Sequence, residues 1–292
     1  MNILKVLFGN SEQSAEDEKR EADDKKFDLM KYDGLKAMKI GRFDYAERCF
    51  VEALLVRDDL EVHEYLSRSM IAQSKYDEAL GQLDTLIEAE PQNVALLLQA
   101  AHVAFLKEDY GLMERYATKA TETDADNAAA YYLLARAAIG QSNLVNGIAL
   151  LTKSIVLDDN YADARMLRSQ TLLQMNDLQG ADEDAQWLAE HVGEHEDVLL
   201  LCARVAKAKG ESEQALSLYN KVTEVNPFQV DAYRERGQLR FELGDKDGAQ
   251  ADMQKVLELN PEEMADVSGD YSAEGIENKV RQAYSAVNPF GI

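Results

Sequence analysis

The sequence predicts an all-α solenoid, a row of about seven helical hairpins stacked one on the next and closed by a C-terminal capping helix. Three observations carry this. Residues 210–227 (GESEQALSLYNKVTEVNP) and 244–261 (GDKDGAQADMQKVLELNP) begin 34 residues apart and share an opening Gly, an Ala five residues on and a closing Asn-Pro. A 34-residue step taken backwards from Val230 lands on Glu196, Ala162, Ala128, Val94 and Leu60 without an insertion, and a unit one residue shorter begins at Phe27. Small residues and chain breakers recur at fixed places in each unit, as a stack of identical hairpins requires.

In chain order, residues 1–26 precede the array. Residues 11–28 hold eight acids and four bases with almost nothing apolar, so this lead-in is expected as a solvated helix or a flexible segment. Ahead of it, Ile3, Leu4, Val6, Leu7 and Phe8 make an apolar tip shorter than a signal-peptide core. The reading that fits is docking on the first repeat, or disorder, rather than a membrane anchor, which an acidic neighbour would disfavour.

The repeats follow as 27–59, 60–93, 94–127, 128–161, 162–195, 196–229 and 230–263. Position 8 is small in all of them: Gly34, Ser67, Ala101, Ala135, Ser169, Ala203 and Gly237. Position 20 is small in six of seven: Ala46, Ala79, Gly147, Ala181, Ala215 and Ala249, with Met113 the exception. Small residues facing each other let two antiparallel helices approach closely, while larger ones at positions 24, 27 and 28 fill the space beside them. Gly41, Gly210 and Gly244, with Ser142 and Asn176 at the same place elsewhere, separate the two helices of a hairpin. Phe43, Tyr76, Tyr110, Leu144 and Leu178 come two residues later. Pro91, Pro227 and Pro261 mark the step to the next hairpin, where a helix does not continue easily. Beyond the array, 264–292 places Ile276, Val280, Tyr284 and Val287 at helical spacing, which suits a helix covering the last open face.

This pattern resembles the tetratricopeptide repeat over residues 27–263, although position 4 lacks the family's typical Trp, and Arg165 and Arg168 make the fifth repeat the least typical. The resemblance implies a right-handed superhelix, a binding scaffold rather than an enzyme, and a concave groove lined by positions 2, 5, 9, 12 and 13 of each first helix. Position 9 reads Leu35, Arg68, His102, Arg136, Gln170, Arg204 and Gln238, and position 5 supplies Leu98, Tyr132, Met166 and Leu200 in the middle four repeats. Across positions 9, 12 and 13 only Glu242 is acidic among 21 residues, where 54 acids in 292 would predict about four. The expected partner-binding residues are therefore Arg68, Leu98, His102, Tyr132, Arg136, Met166, Gln170, Leu200 and Arg204. The clamp that similar domains use for chaperone tails would need Lys and Asn, then Asn, then Lys and Arg. This chain offers Lys31, Leu35, Tyr65, Ala95 and Gln99, so that use is not expected.

Composition narrows the function further. A net charge of −23 disfavours nucleic acid and anionic membrane surfaces. Two distant cysteines, Cys49 and Cys202, outside any Cys-x-x-Cys spacing, point to a reduced, cytoplasmic protein with buried structural thiols. His191 and His195 are four apart, but Gly193 between them argues for a loop rather than a metal pair on one helix face. No Gly-rich phosphate loop or nucleophile elbow occurs, so no cofactor, metal or catalytic residue is expected. The sequence reads as a protein-interaction scaffold that takes a peptide segment or helix of another protein, one with acidic and apolar groups. The alternative is a module that self-assembles through the ends of its array.

Overall fold

A computed structural model of the chain describes residues 3–260, and among them every regular element is an α-helix. The chain forms two compact bodies, one ending at Asn143 and the other starting at Leu144. The first holds α1 (Ile3–Lys39), α2 (Phe43–Leu54), α3 (Leu60–Ile71), α4 (Tyr76–Ala89), α5 (Val94–Leu106), α6 (Tyr110–Thr123) and α7 (Ala128–Gly140). The second holds α8 (Leu144–Leu157), α9 (Ala162–Gln174), α10 (Leu178–His191), α11 (Glu196–Ala208), α12 (Ser212–Val225), α13 (Val230–Glu242) and α14 (Lys246–Leu259). In the first body α1–α2, α3–α4 and α5–α6 pack as hairpins and α7 packs on α6 and α5. In the second, α8 packs on α9, and α9–α10, α11–α12 and α13–α14 are hairpins. From α3 onward the odd-numbered helices start at the residues where the sequence repeats start.

The turn inside each unit has one geometry throughout. Gly41, Ser74, Glu108, Ser142, Asn176, Gly210 and Gly244 all have φ between +59° and +87°. The residue after each donates its N–H to a carbonyl five residues back, as Lys75 does to Met70 (2.9 Å), Asp109 to Ala104 (2.9 Å) and Asp245 to Arg240 (2.9 Å). This left-handed cap satisfies carbonyls that the helix end leaves open. Second helices start two residues later, with Asp109, Asp177 and Asp245 accepting the N–H of Leu112, Gly180 and Gly248. At the other junction α4 and α12 end two residues before Pro91 and Pro227, with Glu90 and Asn226 already extended.

The packing follows the small-residue register. All seven residues at position 8 and all seven at position 20 are buried. In the first hairpin a Cβ on Gly34 would fall 2.5 Å from the Phe50 ring, so only glycine admits that ring. In α9 the Ser169 hydroxyl donates to the Ala181 carbonyl at 2.7 Å, joining positions 8 and 20 directly. Phe50, Leu83, Leu151 and Tyr219 at position 24 are among the largest fully buried side chains.

The lead-in is helical. α1 begins at Ile3 rather than Phe27, residues 16–26 are exposed, and burial starts at Phe27. The helix is thus solvated before Phe27, tied to the first hairpin by Lys26–Glu52 (3.2 Å) and Asp24–Arg57 (3.3 Å). The expected capping helix over 264–292 lies outside the described residues. No described helix is long and apolar enough to cross a membrane.

Candidate partner-binding face

In the first body, position 9 of α3, α5 and α7 supplies Arg68, His102 and Arg136, with Leu98 and Tyr132 at position 5. Arg68 is exposed and pairs with Glu64 one turn away (2.5 Å). It borders a cavity of about 590 Å³ between α1 and α3, lined also by Tyr32, Leu35, Met38, Lys39 and Tyr65. Leu98 is half-buried and packs against the core. Between α5 and α7 the side chains form a stack. The Arg136 guanidinium sits 3.6 Å from the Phe105 ring centre and 5.5 Å from that of Tyr132, and Phe105 stacks on His102 at 6.4 Å. Partial burial first, and then the Arg136 charge, push the His102 pKa below its ordinary value, so the ring is neutral at pH 7. Tyr110 supports Phe105 from α6 (6.4 Å), and its ring comes so close to α7 that a Cβ on Gly140 would lie 2.4 Å from it. Neither α5 nor α7 contains an acidic residue.

Lys31, the single residue matching a chaperone-tail clamp, pairs with Glu61 and lies 3.7 Å from Asp59. The Lys31 contact first, and the Tyr65 hydroxyl second, hold the Glu61 carboxyl below its usual range. That cation is engaged within the protein.

The second body brings Met166, Gln170, Leu200 and Arg204 together around a cavity of about 360 Å³ between α9 and α11. Leu200 is buried, Met166 half-buried and Gln170 exposed. Arg204 differs from expectation. Its fork closes on Glu235 of the next repeat (3.0 and 2.6 Å), which also accepts the Tyr219 hydroxyl at 3.0 Å. Burial works against the Arg204 charge, but Glu235 and Asp231 outweigh it and raise its pKa. Burial, reinforced by Glu235, pushes the Tyr219 phenol up as well. Arg204 therefore joins α11 to α13 and does not present a free cation. The sequence could not show this, because Glu235 is 31 residues away and on a different helix.

Two polar arrangements escaped the sequence reading. Arg168 binds Asp184 with both prongs of its fork (2.7 and 2.7 Å), and Arg236 binds Asp252 in the same way (3.0 and 2.6 Å). Both pairs join position 7 to position 23, and each arginine reaches back to position 25 of the preceding repeat, Thr152 (3.1 Å) or Asn220 (2.8 Å). Arg165 and Arg240 add a second guanidinium to each carboxylate. The second arrangement joins neighbouring repeats. Position 14 binds position 21 of the repeat before it in Gln73–Glu47 (2.6 Å), Gln141–Glu114 (2.9 Å) and Lys209–Asp182 (2.7 Å). Both arrangements recur every second repeat, a signal of period 68 that a search at period 34 averages away.

Gly193 has φ +85° and ends α10 before His195, so His191 and His195 lie in different elements. His191 stacks on Trp187 at 4.2 Å and bonds that residue's carbonyl through Nδ1 (2.8 Å). Cys49 is buried and Cys202 half-buried, both as thiols, and burial pushes the Cys202 thiol up. That is the opposite of what a nucleophile needs.

The tetratricopeptide repeat family profile matches residues 200–263. A search of curated protein sequences gives no match. Among solved structures, a tetratricopeptide repeat protein from Parabacteroides merdae is similar with a TM-score of 0.68, at 14% identity over 89% of this chain and 99% of its own. PilW, a type IV pilus biogenesis factor, gives 0.63 at 13% identity over 76% of this chain and 98% of its own. YrrB, described as having an unusual peptide-binding site, gives 0.52 at 16% identity over 68% of this chain and 97% of its own. At these identities the likeness is one of fold. Helix order, the 34-residue period and the matched profile together make this chain a tetratricopeptide-repeat protein.

Proposed function

We propose that this chain is a protein-interaction scaffold whose first helices receive a peptide segment or helix of a partner carrying apolar and acidic groups. One observation carries the reading. In a protein with 54 acids, α5 and α7 have none, yet they display half-buried Leu98, Phe105 and Tyr132 beside Arg136. A face meant only for solvent has no reason to exclude acid and retain aromatic surface. The cavities beside Arg68 and between α9 and α11 extend the proposed contact surface within each body. Arg204 belongs to this surface through its position only, since Glu235 occupies its fork. A reducing, cytoplasmic setting fits two unpaired thiols.

The test is affinity capture from native lysate with mass spectrometry, run in parallel on wild type, His102→Glu on α5 and Lys119→Glu on α6. The same proteins should come down with wild type and Lys119→Glu and be lost with His102→Glu. Loss with Lys119→Glu alone would move the site to the second helices. A stable oligomer of the purified chain by light scattering would favour self-assembly instead.

A further inference from the structure

We propose that Arg136 is the anchor for an aspartate or glutamate side chain within an otherwise apolar peptide segment; this rests on reading the α5/α7 face as a peptide-binding surface. Among the described residues the other arginines that are at least half-buried, Arg165, Arg168, Arg204, Arg234, Arg236 and Arg240, each pair with a carboxylate. Arg136 is half-buried and has neither an ion pair nor a hydrogen bond there. Its partners are the faces of Phe105 and Tyr132. Stacking uses the flat face of a guanidinium and leaves its in-plane N–H donors at the edge, in the fork that matches a carboxylate. The side chain is already ordered by the rings, so less entropy is lost when a ligand arrives.

The surroundings choose the ligand. His102, the other titratable group on these two helix faces besides tyrosines, is neutral, so the site carries one positive charge and takes one negative one. The net charge of −23 repels a phosphate polymer at long range, while a single carboxylate in a peptide is screened beyond ~8 Å and meets no acid on α5 or α7. Arg136 lies between Tyr132 and Ile139 on α7, both half-buried, so apolar contacts continue on either side of it along the helix. A peptide that ended at Arg136 would leave half of that surface unused. The acid is therefore a side chain inside the segment, not a chain terminus.

The experiment is selection of random peptides on the full chain, then titration of the enriched peptides as synthetic C-terminal amides. Enriched peptides should carry Asp or Glu among apolar residues, and Arg136→Gln should weaken them about ten-fold or more, the effect of losing a charged hydrogen bond. Arg136→Lys should recover part of the loss, since an ammonium neither forks nor stacks as well. Replacing the peptide's acid by its amide should weaken binding to wild type by the same factor and leave binding to Arg136→Gln unchanged. That arm also stands on wild-type protein alone if the variant fails to fold. Peptides bound equally by wild type and Arg136→Gln overturn the anchor and leave the groove intact. Binding lost on C-terminal amidation overturns the side-chain source. If no peptide is enriched, the groove reading falls and the anchor with it.

Discussion

Asp184 is almost fully buried and is held by two arginines, Arg168 through both prongs and Arg165 at 3.3 Å. Removing one side of a buried pair strands a charge, whereas replacing both sides with apolar groups often changes little. Arg168→Met should therefore destabilise by about 3 kcal/mol, the lower end for a broken buried pair because Arg165 stays. The double change Arg168→Met with Asp184→Leu should return to within about 1 kcal/mol of wild type. Denaturant midpoints for the singles and the double decide this, and additive losses would contradict it. His102 makes a separate prediction. Its pKa is depressed in the folded protein, so the unfolded chain takes up a proton at higher pH than the folded one does. The stabilising contribution is full above the ordinary histidine value of ~6.5 and is lost as pH falls through the lowered pKa. His102→Gln should flatten the fall in melting temperature between about pH 6.5 and 5. An unchanged slope would mean that the ring does not titrate as its surroundings require.

At the scale of the helix, the seven left-handed turns show what a sequence can and cannot disclose. Gly41, Gly210, Gly244, Ser142 and Asn176 were legible because glycine and small polar residues favour or tolerate that conformation. Ser74 and Glu108 were not, since nothing in a glutamate asks for φ of +61°. There the caps on both sides and the packing of both helices impose it. Glu108 also sets a negative charge at a helix C-terminus, the unfavourable end. Glu108→Gly should thus raise stability by about 1 kcal/mol, the scale of the penalty for an L-residue in that region, and Gly210→Ala should lower it by about as much. Equal and opposite shifts in denaturant midpoint are the expected result. The candidate face shows the same division. Leu98, Tyr132 and Arg136 were legible because their roles are local to one helix face. The engagement of Arg204 was not, because ion pairing between helices depends on a register that no single helix encodes.

At the scale of the whole molecule, the period-68 contacts mean that hairpins come in two alternating kinds. Glu47, Glu114 and Asp182 close one kind of junction against Gln73, Gln141 and Lys209. At the intervening junctions the same two positions read Leu80 and Lys107, Ile148 and Met175, and Leu216 and Leu243, apolar in five of six. The array therefore has parity, and shortening it must respect parity. Deleting residues 162–195, one hairpin, would set Lys209 against Ile148 and Cys202 against Thr152, mismatching both contacts. Deleting residues 162–229, two hairpins, would set Leu243 against Ile148 and give Arg236 the Thr152 hydroxyl that Arg168 now uses. In a stack whose stability is a sum over neighbours, a longer chain should be the more stable one. Here the expected order is reversed, with the 34-residue deletion melting below the 68-residue deletion, because one leaves an array out of phase and the other leaves a shorter array in phase.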